Sequence, residues 1–255
     1  MFGEAQHIQP NAALTRNAPA TAGSVRATLW PTLALDTGER LFDELYVWTE
    51  RYQPTTMQRA RLQLSALRKA FALLELEKRD HICVTLSFGT VERALDATTD
   101  LFESNRLLMH RVSVMLRGQA ERLRAPYRVH NFVDWLRSQN VAVGYRLSAS
   151  RIDSEKRAIE LLQPRFAKLV APTSSRLEYW QDSLLEARAA GLDARWLIVS
   201  DIESAEQRRL ARAAGFGFGQ GSAVRPAQDL PSTRRLRQSV APWAGQPAGE
   251  PAPAA

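Results

Sequence analysis

The chain carries one cysteine in 255 residues, Cys83. A disulfide framework cannot be built from one thiol, which suits a reducing cytoplasm. Its place in the apolar run Ile82-Cys83-Val84 marks Cys83 as a small buried hydrophobe rather than a nucleophile. Histidine is almost as sparse: the four are separated by tens of residues and give no pair of metal ligands at close spacing. No apolar run approaches the ~20 residues needed to cross a bilayer. The start lacks a basic segment followed by an apolar one, so no secretory leader and no membrane partner are expected. Runs of basic residues interleaved with aromatics are also missing. The formal charge of +7 comes from arginines scattered over helical segments, which reads as a solvated surface and makes nucleic acid an unlikely partner.

What is present supports a full core, with 45% apolar and 24% charged residues. Residues 1–23, rich in Ala, Asn, Pro and Thr, have no periodicity and too little apolar surface to offset ordering entropy. Residues 238–255, mostly Pro, Ala and Gly around Trp243, read the same way. Both ends are expected to be disordered tails flanking one domain over 24–237.

Within that domain short apolar runs alternate with helical stripes. Thr28–Leu35 and Arg40–Trp48 flank Asp36-Thr-Gly-Glu39, and Gly38 supplies the positive φ of a tight hairpin. Leu62, Leu67, Ala70, Phe71 and Leu74 make Thr56–Leu76 a core-facing helix. Strands are expected at His81–Leu86, Arg106–Val114, Val141–Ala149, Phe166–Val170, Trp196–Val199 and Phe216–Gln220. Helices are expected over Val91–Phe102, His130–Ser138, a short segment around Ile159–Leu162, and Arg176–Ala189 with Ser174 as its cap. Ser204 with Gln207 forms a capping box for a further helix that Gly215 stops. Strand, polar tip, helix, glycine, strand is one repeat of a parallel α/β array, whose strand carboxyl ends carry the chemistry.

Two stretches resemble a known family. Ile202-Glu203, Glu206-Gln207, Gly215, Gln220-Gly221 and Pro226 fall in step with the last repeats of bacterial EAL domains, the cyclic di-GMP phosphodiesterases. Pro31, Asp36-Thr37-Gly38, Glu44, Leu45 and Trp48 match the opening hairpin. The resemblance implies a TIM-like (β/α)8 barrel with a leading β-hairpin, spanning about Ala27 to Pro226.

The same resemblance assigns a set of barrel-mouth positions. Glu44 keeps the family's metal-binding carboxylate, and Lys168 and Gln220 are also retained. Elsewhere the pattern is broken: Val47 stands for a phosphate-holding Arg, Thr85 for an Asn, Ser113 for a metal-binding Glu. Arg146, Leu147 and Val170 stand for Asp residues, and Ser200 for the catalytic Glu. One carboxylate cannot replace a cage of oxygens around a divalent cation. A guanidinium ~5 Å from such an ion, at an effective dielectric of ~20, would oppose it by roughly 7 kcal/mol. No metal, cofactor or catalytic residue is therefore expected, and Glu44 and Lys168 are expected to pair with each other. The implied function is a non-catalytic, cytoplasmic regulator in bacterial signalling that works through a protein partner. The alternative is a receptor that binds cyclic di-GMP without cleaving it, with Trp30, Arg146, Lys168 and Gln220 lining the pocket.

Overall fold

The structure, a computed structural model, describes residues 25–49, 55–76, 78–147 and 152–230. The two terminal tails anticipated from composition lie outside the described residues. The chain opens with β1 (Val25–Ala34) and β2 (Arg40–Thr49), an antiparallel hairpin in which Trp30 faces Glu44. Gly38 takes φ 74 at its turn, a conformation that a β-carbon disfavours. Then come α1 (Thr56–Glu75), β3 (Ile82–Ser87), α2 (Phe88–Arg93), α3 (Leu95–Glu103) and β4 (Val112–Arg117). They are followed by α4 (Pro126–Ser138), β5 (Ala142–Arg146), α5 (Ile152–Leu162), β6 (Phe166–Val170) and α6 (Leu177–Ala189). The last elements are β7 (Leu197–Ser200), α7 (Ala205–Ala214), β8 (Phe218–Gly219) and β9 (Gln228–Leu230).

Strands β2 to β8 pair in sequence, all parallel, and β1 closes the ring by lying antiparallel between β8 and β2. The short β9 adds to the other part of β1 through Ala27–Leu29. The result is an eight-stranded α/β barrel whose first strand runs against the other seven, as the hairpin at the start of the sequence requires.

Alternation along each strand sorts its side chains into two populations. One set, including Val84, Val114, Val143, Leu169 and Val199, faces the helices and joins Leu67, Phe71, Phe102, Val133 and Trp180 in the main core. The other set fills the barrel interior with Phe42, Cys83, Met115, Phe166 and Ile198. Cys83 is fully buried there, and burial pushes its thiol pKa well up, so it stays protonated.

Several element boundaries differ from those read in the sequence. Arg106–Arg111 is a 3-10 turn rather than the start of a strand, and β4 begins only at Val112. Leu107 and Leu108 imitate a strand in sequence, but Leu107 is largely exposed. Val91–Phe102 is split at Ala94 into two helices. Ser174 does not cap α6: its hydroxyl accepts from the Arg176 N–H, and the capping residue Arg176 has no side-chain cap. The box at Ser204 and Gln207 is formed in full, and α1 has a second one from Thr55 and Gln58.

Candidate functional site: a polar plug in the barrel mouth

At the carboxyl end of the parallel strands, polar groups from β1, β2, β3 and the residue after β8 form one network around a buried lysine of β6. Lys168, on β6, is 1% exposed, and its three N–H donors have three partners. Nζ donates to Glu44 Oε2 at 2.5 Å, to Gln220 Oε1 at 2.5 Å and to the Tyr46 hydroxyl at 3.0 Å. Glu44, on β2 and fully buried, also accepts from Thr85 Oγ1 at 2.8 Å and from Gln220 Nε2 at 3.1 Å. Gln220 Nε2 lies 3.0 Å from Thr32 Oγ1 on β1. Each charge in the plug is thus paired and hydrogen-bonded, the condition under which a buried ion pair is tolerated.

The titration behaviour follows from that arrangement. Burial alone would raise the Glu44 pKa. The Lys168 charge, then Arg146, and the bonds from Lys168 and Thr85 outweigh it and bring the carboxyl down to about 2. Burial would lower Lys168, but Glu44 and Tyr46 hold it above its ordinary value. Both partners are therefore charged across the physiological range.

Above the plug the mouth is cationic. Arg146, at the end of β5, sits beside Lys168 in register and reaches the Tyr46 hydroxyl at 3.5 Å, a distance at which little hydrogen-bond energy remains. Arg117 ends β4. The β4–β5 pairing ends at Leu116 and Tyr145, and Arg117 and Arg146 are the residues that follow that last pair on the two strands. Burial lowers the Arg117 pKa, and repulsion from Arg146 and Arg59 lowers it further. Asp201, at the end of β7 with φ 62, is the carboxylate after Glu44 that acts on Arg146.

The positions singled out in the sequence divide into three groups. Glu44, Thr85, Lys168 and Gln220 meet in the plug, with Trp30 opposite Glu44 across the hairpin and its carbonyl 3.3 Å from Gln220 Nε2. Arg146, Val170 and Ser200 stand around the mouth; Val170 pairs with Ser200, whose Oγ lies 3.2 Å from the Leu169 carbonyl oxygen. Three other positions fall elsewhere. Val47 packs against the main core, because alternation turns it away from the side shared by Glu44 and Tyr46. Leu147 is buried in the same outer core, its N–H bonded to the Lys168 carbonyl. Ser113 lies at the start of β4, level with Cys83, and its Oγ is 2.8 Å from His81 Nε2 at the opposite end of the barrel. Its misplacement follows from starting β4 too early.

Tyr46, Thr32 and Arg117 were missed. A period of two from Glu44 points to Tyr46, and Gly118 marks the strand end that puts Arg117 at the mouth. Among the described residues, no three His, Cys, Asp or Glu side chains gather where they could hold a metal ion. Glu44, with an ammonium group at 2.5 Å and Arg146 nearby, does not make a donor set for a divalent cation.

A closed barrel with one antiparallel strand, carrying its polar groups at the carboxyl end, defines the class of fold, and solved structures share it. The chain is similar to the PaMucR phosphodiesterase in complex with c-di-GMP, with a TM-score of 0.64 and 13% identity over 83% of this chain and 99% of that one. The EAL domain of Mycobacterium smegmatis DcpA gives 0.63 and 15%, covering 85% and 97%. The Xanthomonas citri FimX EAL domain in complex with c-diGMP gives 0.59 and 15%, covering 81% and 88%. The chain has the fold of EAL domains. No family model and no curated protein matches the sequence.

Proposed function

We propose that this EAL-like barrel is a non-catalytic regulator in bacterial cyclic di-GMP signalling, acting in the cytoplasm through a protein partner. The observation that carries the reading is the ion pair between Lys168 and Glu44, which fills the barrel mouth with a committed cation where a hydrolase of phosphodiesters needs a bound metal and an activated water. Leu147 and Val170, apolar, and Ser200, neutral, supply no carboxylate. The two ends of the chain are excluded from the domain in this reading, and 24–237 acts as one unit. Turnover of cyclic di-GMP with magnesium or manganese is expected to equal that of Glu44→Ala. Hydrolysis above that control would overturn the proposal.

A second reading, a receptor that binds without cleaving, is favoured by Arg146 at the mouth and by the similarity of the fold to the PaMucR and FimX complexes with c-di-GMP. Trp30, Arg146 and exposed parts of the mouth would contact it, whereas Lys168 and Gln220 are already committed to Glu44. Against it stands the dispersal of charge in a diester: each phosphate carries one negative charge, and one charged hydrogen bond contributes about 1.5–3 kcal/mol. Calorimetric titration with cyclic di-GMP is expected to give a dissociation constant weaker than ~10 μM, with or without magnesium. A submicromolar value lost in Arg146→Ala would make the receptor reading the better one.

A further inference from the structure

Lys168 is neutralised by Glu44, but the next two strands bring a second and a third cation to the same level, where the nearby carboxylates acting on Arg146 are Glu44, already bonded to Lys168, and the exposed Asp201. Arg117 and Arg146 end neighbouring parallel strands, which run about 4.8 Å apart. Both side chains are partly buried rather than free in solvent. Between them they offer ten N–H donors by chemistry. The side-chain hydrogen bond made by either guanidinium among the described residues is the long one from Arg146 to Tyr46. Asp201 is exposed and makes no ion pair with either guanidinium. Arg59, exposed on the first turn of α1, adds a further positive charge on the same side.

Two guanidinium groups held side by side and partly out of water repel each other, and the sequence could remove that repulsion with one neutral residue. An anion seated between them turns repulsion into two charge-assisted forks. We infer that Arg117 and Arg146 form an anion site at the barrel mouth whose ligand is a phosphate monoester, bound as the dianion above the closed Glu44–Lys168 plug. The dianion is selected by charge, since two guanidiniums face it and Glu44 is already satisfied. A terminal phosphate also presents three oxygens to the planar donors, whereas a diester presents two. The site works without a metal and forms no covalent bond, and it stands whether or not the chain acts through a protein partner.

The test is calorimetric titration of the full chain with guanosine monophosphate, inorganic sulfate and cyclic di-GMP, with thermal melts in parallel. Guanosine monophosphate is expected to bind saturably and raise the melting temperature. Its affinity should rise about tenfold from pH 5 to pH 7.5, because the second phosphate ionisation lies near pH 6. Sulfate, a dianion throughout, should bind with no such rise, and cyclic di-GMP should bind more weakly than the monoester. Arg117→Gln and Arg146→Gln should each lower the monoester affinity at least tenfold while remaining folded without ligand. Arg117→Lys, which keeps the charge and loses the fork, should fall between wild type and Arg117→Gln. Absence of saturable binding, binding unchanged in both Gln variants, or a monoester affinity indifferent to pH would each overturn the site. None of these results depends on hydrolysis or on a protein partner, so each can fail separately from the proposed function.

Discussion

Lys168 holds Glu44 with all three of its N–H donors in use, so the two residues can be removed together far more safely than one at a time. Replacing one partner of a buried pair leaves the other charge stranded, which typically costs about 3–5 kcal/mol, while exchanging both for apolar groups is often close to neutral. Lys168→Met is therefore expected to lower stability by about 3–5 kcal/mol, and Glu44→Leu with Lys168→Met to cost much less than the two single changes summed. Urea unfolding of the four proteins in this cycle checks it, and additive losses would contradict the coupling. Acid acts on the same pair. The folded Glu44 pKa, about 2, lies below its ordinary value of 4.5. The contribution of its charge is accordingly complete above about pH 4.5 and is lost as the pH falls toward 2. In Glu44→Leu with Lys168→Met this part of the acid loss should be missing.

On the scale of elements, Gly144 shows how tightly β5 approaches β6. A β-carbon at Gly144 would come within 2.2 Å of the Phe166 ring inside the barrel. Gly144→Ala is expected to cost about 1–3 kcal/mol by overpacking, and Phe166→Leu in the same chain to recover part of the loss, read from thermal melts. The start of α7 gives a milder case: Ser204→Ala removes the hydroxyl that accepts from Gln207 N–H at 3.1 Å and should cost about 1 kcal/mol. These elements also show what the sequence could reveal. The hairpin around Gly38, the box at Ser204 and Gln207, and the order of strands and helices were legible, because turn chemistry, capping and apolar period act over a few residues. The bounds of β4 were not, since Arg106–Arg111 forms a 3-10 turn whose apolar residues imitate a strand. That shift displaced Ser113 from the mouth and hid Arg117. The meeting of Glu44 with Lys168 was legible from retained residue types, whereas Val47, assigned to the mouth by the resemblance, faces the outer core, and Tyr46, one step of strand alternation before it, faces the plug.

Across the whole molecule, stability should depend on pH through groups at opposite ends of the barrel. His81, beneath the interior layer, shares a hydrogen bond with Ser113 at 2.8 Å. Burial lowers its pKa below the ordinary 6.5, and the charges of His110, Arg111 and Arg165 lower it further, with no carboxylate among these causes. The unfolded chain thus takes up a proton on this residue before the folded chain does. Its contribution is fully present above about pH 6.5 and is lost as the pH falls from there toward the folded value. The two carboxylates lie in a lower window and oppose each other. Glu44 is depressed and loses stability as acid is added, whereas burial raises Asp43 despite Arg40 and Arg79, so its protonation favours the folded state. At the alkaline end Lys168 is raised, so its contribution holds up to about 10.5 and is lost as the pH climbs through the folded value. A stability plateau is therefore expected from about pH 6.5 to 9, with its acid edge set by His81 and its alkaline edge by the buried Cys83 thiol, which the unfolded chain ionises first. Urea midpoints from pH 5 to 8 should fall below pH 6.5 in the wild type and stay level in His81→Gln, which cannot take up the proton. An identical acid edge in the two proteins would move the cause away from His81 and onto the net charge of +7, which grows with every proton added.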